Sequence, residues 1–181
     1  RRNRPKYTGL RAHAKKMMVH KWRSQEQAIL TGTKTIVNDN PQLTTRNWPG
    51  KSPLRVAIDR NLVISAKAAV FDNSADTLII NQLKDSVQGN IQFIKADFNN
   101  LPREINAILY TKNVQSVIVE GGLITLEGFI KTDNWDEARV FVSKSYFVKG
   151  TKAPKLNEAA EQELALPNSA LYIYKQQPRA S

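Results

Sequence analysis

With 181 residues, 41% of them apolar and 24% charged, the chain has the make-up of one soluble globular domain with a substantial core. It has no cysteine and only two histidines, which excludes disulfides and thiolate metal sites and leaves too few ligands for a histidine-built metal centre. The net charge of +11 falls entirely in residues 1–60, where 14 Lys/Arg face only Glu26, Asp39 and Asp59. Aromatics do not interleave with these cations as stacking platforms for nucleic acid would require, so an anionic small molecule is the favoured partner. No apolar run approaches the roughly 20 residues of a membrane span and no signal-peptide pattern opens the chain, which suits a cytoplasmic protein without a membrane partner.

Taken in order, residues 1–9 have no periodicity and read as an irregular basic start. Residues 10–23 form a predicted helix whose apolar stripe is Ala12, Ala14, Met17, Met18 and Val19, with Trp22 expected to pack on the sheet. His20 reads as a helix-surface or satisfied core histidine, since no carboxylate stands near it at a useful spacing. Arg23 closes the helix, where a cation suits the macrodipole. Ala28-Ile29-Leu30 is a short apolar run ended by Thr31-Gly32, which predicts a buried strand. Thr33 and Thr35 follow at its carboxyl end, then the turn formers Asn38-Asp39-Asn40-Pro41, then Leu43 and Arg46. Open α/β sheets bind ligands outside the carboxyl ends of their strands, so this stretch is the first candidate site; as pattern alone, Asp39-Asn40-Pro41 reads equally as a tight turn.

Further strands are predicted at residues 54–59, 77–80 and 91–94, and a helix over 101–110 with Ile105, Ile108 and Leu109 on one face. Arg60 stands just past the second strand, either as a loop arginine or as a ligand for a cofactor 2′-phosphate. Val117-Ile118-Val119 runs into Glu120-Gly121-Gly122, with a helix predicted over 126–131. Two glycines before a helix amino terminus let a phosphate approach the backbone. Glu120 alone could equally be a strand-end carboxylate facing solvent. Residues 136–142 and 171–174 alternate polar and apolar, as antiparallel strands with one covered face do, and 149–167 is loop-rich. Strands alternating with helices, without internal repeat or linker, predict a single domain over 1–181 with a mostly parallel sheet.

Two of these stretches carry a resemblance. Val19-His20-Lys21-Trp22-Arg23, followed by AILTGTKTIVNDNPQLTTR (residues 28–46), resembles the reductase domain of the bifunctional riboflavin-biosynthesis deaminase–reductases. There a V-H-x-x-R helix precedes a strand and G-x-x-T-x-x-x-D-x-P-x-L-T-x-R. The match runs from Val19 to Arg46 without a gap, and Val119-Glu120-Gly121-Gly122 resembles a second segment of that family.

The resemblance implies a three-layer fold of the dihydrofolate-reductase type, with a mostly parallel central sheet, flanking helices and antiparallel C-terminal strands. It implies a homodimer that reduces 5-amino-6-(5-phosphoribosylamino)uracil with NADPH. Arg23, Leu43, Arg46 and Glu120 would surround the phosphorylated pyrimidine. Thr35, Asp39, Arg60 and the run Gly121, Gly122, Leu123, Ile124, Thr125, Leu126, Glu127, Gly128 would hold the cofactor. Asp39, as the acid in that loop, is the candidate catalytic residue. The start departs from the family pattern: Arg4-Pro5 and Thr8-Gly9 are all that answers to its first strand and turn. The family's partner activity, a zinc deaminase, needs cysteines that this chain lacks. Two rivals stay open: a pterin or folate reductase of the same fold, which needs no arginine pair, and a basic nucleic-acid-binding module.

Overall fold

The computed structural model describes residues 8–144 and 152–176. Most of the predicted irregular start, residues 1–7, lies outside the described residues, as do the side chains of Ala12 and Ala14. The chain opens with helix α1 (Thr8–Gln25), then strand β1 (Ala28–Gly32) and a short helix α2 (Thr33–Asp39). Strand β2 (Leu54–Ile58), a 3-10 turn (Ala69–Phe71) and β3 (Thr77–Asn81) follow, then the hairpin β4 (Ser86–Gln88) and β5 (Ile91–Lys95). Helix α3 (Leu101–Thr111), β6 (Val117–Val119) and α4 (Leu123–Lys131) lead to β7 (Glu137–Ser143), β8 (Gln162–Leu166) and β9 (Ser169–Lys175).

The main sheet has the order β4-β5-β3-β2-β1-β6, parallel throughout except for β4. Gly89-Asn90 makes the β4–β5 turn, and the positive φ of Gly89 (60°) is what so short a connection requires. β1 lies between β2 and β6, with Leu30 opposite both Val56 and Val119. Successive side chains of β1 face opposite layers, as the two-residue strand period dictates. Ala28 and Leu30 join Val56, Leu78 and Ile80 under α3 and α4, against Ile105, Leu109 and Phe129. Ile29 joins Ala57 and Ile79 on the other face, against Ile36 of α2, Leu43 and Val70. Burying each of the large side chains among these contributes about 1.5–3 kcal/mol, which is why so short an apolar run as Ala28-Ile29-Leu30 can anchor the sheet.

The antiparallel C-terminal strands border no strand of the main sheet; they form a sheet of their own, β7-β9-β8. Trp22, expected on the main sheet, stacks instead on Phe141 of β7 at 5.7 Å, with the Arg139 guanidinium 4.7 Å over its other face. Between this sheet and the outer edge of β6 runs a cleft of about 1540 Å³, lined among others by Val19, Trp22, Leu109, Phe129 and Phe141.

One of the fourteen early cations is an internal strut. Arg55 is fully buried at the amino end of β2, where its guanidinium donates to Asp72 Oδ1 (2.7 Å), the Ala75 carbonyl (2.7 Å) and Thr77 Oγ1 (2.9 Å). Hydrogen bonds from Ser74 and Arg55 outweigh the opposing effect of desolvation and hold the Asp72 carboxyl down at about 2. This network sits at the edge opposite the glycine turn and fixes the sheet rather than a ligand.

Candidate active site

The parallel strands end together, so their carboxyl edge collects the residues that follow each of them. Reading across the sheet, these are Gln82 after β3, Arg60 after β2, Thr33 after β1, and Glu120-Gly121-Gly122 after β6.

Arg23 and Glu120 meet here across 97 positions of sequence. Arg23 Nε donates to Glu120 Oε1 at 2.7 Å and Nη2 to Oε2 at 2.5 Å, while Nη1 donates to the Thr44 carbonyl at 3.2 Å. The fork geometry of a guanidinium on a carboxylate makes this a strong, orienting contact, and both side chains are largely withdrawn from solvent (12% and 22% exposed). It ties the end of α1 to the end of β6. Arg46 stands in the same neighbourhood, exposed and, among the described residues, without an ion pair. Its charge and that of Arg23 both act on His20, which lies one helical turn before Arg23.

His20 is the residue the sequence reading passed over. It is 6% exposed, its Nδ1 has no hydrogen-bond partner, and Glu120, placed by no sequence spacing, is close enough to favour its protonation. Burial, then Arg23, then Arg46 lower its pKa below the ordinary value; the Thr44 backbone and Glu120 oppose them. Only the three-residue step from His20 to Arg23 on one helix face signalled that the two could share an environment.

A second group of residues meets at the glycine turn. Gly121 lies so close to β1 that a Cβ there would collide with Thr31 and stand 2.6 Å from the Gly32 nitrogen. Its glycine is therefore demanded by strand packing. Gly122 is different: its φ of 65° with ψ of 149° belongs to a region almost restricted to glycine, and it is exposed. It caps α4 without a side-chain hydrogen bond, so the first-turn N–H groups of Leu123, Ile124 and Thr125 point out of a helix end open to an anion. Thr35 Oγ1 from α2 lies 3.0 Å from where a Gly122 Cβ would stand, and Thr125 Oγ1 2.5 Å from where a Gly32 Cβ would stand. These two hydroxyls and the Cβ-free backbone of residues 121–122 make up the glycine notch. Leu126, Glu127 and Gly128 continue α4 away from the notch, and Glu127 pairs with Lys131 at 3.1 Å.

Arg60 is two strands from Gly121, roughly 10 Å at ordinary strand spacing. It donates to Gln82 Oε1 at 2.8 Å and lies over the Phe98 ring at 5.3 Å. Asp39 ends α2 and is exposed; Asn40 after it adopts the left-handed conformation (φ 42°) and accepts a hydrogen bond from Ala69 N–H at 2.7 Å. Leu43 is 2% exposed in the core beside Ile36, with φ of 55°, a conformation that costs a leucine energy and fixes the path toward Arg46. The structure thus brings Arg23 and Glu120 together, with Arg46 near enough for its charge to act on His20, and brings Thr35, Gly121, Gly122 and Thr125 together, joined through residues 120–122. Of the candidate residues, Glu120 and Leu126 also border the large cleft beside β6, which does not extend over the glycine notch.

No cluster of metal-binding side chains occurs among the described residues, and no helix among them is long and apolar enough to cross a membrane.

The profile of one protein family, the RibD C-terminal domain, matches residues 5–156. The riboflavin biosynthesis protein RibD of Bacillus amyloliquefaciens is 30% identical over 156 residues, covering 80% of this chain and 42% of that protein. The 2,5-diamino-6-ribosylamino-4(3H)-pyrimidinone 5′-phosphate reductase of Archaeoglobus fulgidus is 26% identical over 155 residues, covering 76% and 70%. Among solved structures, the deaminase/5-amino-6-(5-phosphoribosylamino)uracil reductase of Thermotoga maritima superposes with a TM-score of 0.76 at 27% identity, covering 87% of this chain and 47% of that one. The Saccharomyces riboflavin biosynthesis reductase Rib7 has the same fold, with a TM-score of 0.71 at 18% identity over 89% and 80%. The chain spans about two fifths of the length of the RibD relatives from Bacillus, Aquifex and Chlamydia pneumoniae.

Proposed function

The chain belongs to the RibD C-terminal domain family, and from that premise we propose that it reduces 5-amino-6-(5-phosphoribosylamino)uracil to the ribitylamino product. The observation that carries the reading is the Arg23–Glu120 pair, which sets a guanidinium against the carboxylate that opens the glycine turn, with Arg46 beside them. A phosphorylated sugar and a dinucleotide then have adjoining places on one sheet edge. NADPH, when bound, supplies the hydride that the opened ribose accepts at C1′, while a proton goes to the sugar oxygen.

The chain's own residues hold the two partners. Arg46 and Arg23 hold the terminal phosphate, and Glu120 fixes the Arg23 fork while reaching the substrate. Leu43, buried beside Ile36, holds the loop that carries Arg46 to the substrate side. The α4 amino terminus with Gly121 and Gly122 holds the cofactor diphosphate; Thr35 and Asp39 line the nicotinamide side, and Arg60 holds the 2′-phosphate. The work of these groups is positioning, which is what a hydride transfer demands of a protein.

The reading includes a homodimer, in which a second copy would cover the exposed Val142 of the C-terminal sheet. The same reading makes the protein cytoplasmic, with neither nucleic acid nor membrane as partner. Anaerobic NADPH oxidation tests it, with the phosphoribosylamino-uracil, the diaminopyrimidinone phosphate and dihydrofolate assayed in parallel. Turnover of a phosphoribosyl pyrimidine supports the proposal. Preference for dihydrofolate, or no turnover of any of them, overturns it.

A further inference from the structure

His20 is buried (6% exposed) in the charge cluster at the end of α1 and carries a ring nitrogen, Nδ1, with no hydrogen-bond partner. The charged groups acting on it are Arg23 from its own helix, Arg46 from the loop after α2 and Glu120 from the end of β6; the Thr44 backbone is its polar neighbour. Glu120 holds Arg23 in a two-point contact that orients the guanidinium, while Arg46 has no ion pair among the described residues. A buried imidazole nitrogen without a partner is costly to keep and calls for an explanation.

We propose that His20, one helical turn before Arg23, is a positioning residue of the phosphate subsite and takes up a proton when a sugar phosphate binds to Arg23 and Arg46. The inference rests on the reading above that the two arginines hold a phosphate. Its physics is linkage. In the free protein, burial, Arg23 and Arg46 lower the proton affinity of the imidazole. A phosphate dianion cancels their field, so the ring gains proton affinity, and the imidazolium then adds a third positive charge to the subsite. The sign is fixed: the midpoint of the complex lies above that of the free protein. Binding therefore recruits a proton between the two midpoints, and His20's contribution to affinity falls as pH rises through the upper one. The phosphate's own second ionisation, near pH 6, pulls affinity the opposite way and is present with or without His20.

The chain has only His13 and His20, so each imidazole signal can be followed by NMR in the unmodified protein, with His13→Gln and His20→Gln used for assignment. The probe is ribose 5-phosphate, with ribose as control. The expected result is a His20 midpoint raised by about one pH unit at saturating ribose 5-phosphate, unchanged by ribose. Calorimetry in two buffers of different ionisation heat should show proton uptake that His20→Gln abolishes while ribose 5-phosphate still binds. Binding that depends on Arg46 but leaves the His20 midpoint in place would overturn this inference alone. Failure of ribose 5-phosphate to bind at all would overturn the phosphate subsite and the inference with it.

Discussion

Arg46→Ala and Arg23→Ala are not equivalent perturbations, and the difference follows from the geometry. Arg46 is exposed and, among the described residues, has no ion pair, so its removal leaves nothing behind. Its effect should fall on the phosphate alone. A charge-assisted contact is worth about 1.5–3 kcal/mol, which predicts a roughly tenfold to hundredfold loss in kcat/KM on the phosphorylated substrate and little change in Tm. Arg23→Ala removes the same kind of contact but also strips Glu120, only 22% exposed, of both its donors. An added loss of about 1–3 kcal/mol in stability is expected, several degrees in Tm for a chain of this size. The double variant Arg23→Ala/Glu120→Gln should regain much of that stability without regaining activity. The assay is steady-state reduction on the phosphorylated and dephosphorylated substrates, with thermal melts of each variant. An Arg46→Ala enzyme that loses as much on the dephosphorylated substrate would refute the phosphate assignment, and an Arg23→Ala protein as stable as wild type would refute the account of the pair.

The remaining predictions concern the cofactor notch and the strut. Gly121→Ala should unfold or severely destabilise the protein, because its Cβ runs into Thr31 backbone, whereas Gly122→Ala should fold with a strain of about 1–3 kcal/mol and bind NADPH more weakly; equal melts for the two would contradict this. Arg60→Ala should weaken NADPH about tenfold and leave NADH unchanged, and equal affinity of wild type for both would confine Arg60 to its contacts with Gln82 and Phe98. Asp72 has a folded-state pKa depressed from 3.8 to about 2, so its stabilisation is complete above about pH 4 and is lost as pH falls through about 2. At 31% exposure this is worth at most about 2 kcal/mol, and Asp72→Asn should flatten the acid limb of stability measured by urea unfolding.

What the sequence revealed was what local chemistry decides. Ala28-Ile29-Leu30 and Thr77-Leu78-Ile79-Ile80 read as strands because buried parallel strands are apolar on both faces, and both lie where expected. The helix at 101–110 appears as Leu101–Thr111 with Ile105 and Leu109 buried. The helix at Thr33–Asp39 was not legible: Thr, Val, Asn and Asp are weak helix formers, and its shape depends on Ile36 reaching the core and Thr33 Oγ1 donating to the Ile58 carbonyl at 2.6 Å. The α4 helix starts at Leu123, three residues earlier than its apolar pattern suggests, because Gly122 serves as its cap. The strand Gln162–Leu166 hid in a loop-rich stretch because four of its five residues face solvent and β9 alone orders it. The candidate residues were visible through motifs, but their partnerships were not. Arg23 and Glu120 are 97 positions apart, and only the placement of β6 beside β1 makes them neighbours of each other and of His20.

The central claim is that this sheet edge delivers a hydride to the C1′ of a phosphoribosylamino pyrimidine, and isotope transfer tests it most directly. The protein is incubated anaerobically with the substrate and NADPH carrying deuterium at the transferring position of the nicotinamide, and the product is read by mass and NMR. The account predicts one deuterium per product molecule, at C1′ of the ribityl chain, formed in step with cofactor oxidation. A ribityl product without the label, or label at any other carbon, would contradict it.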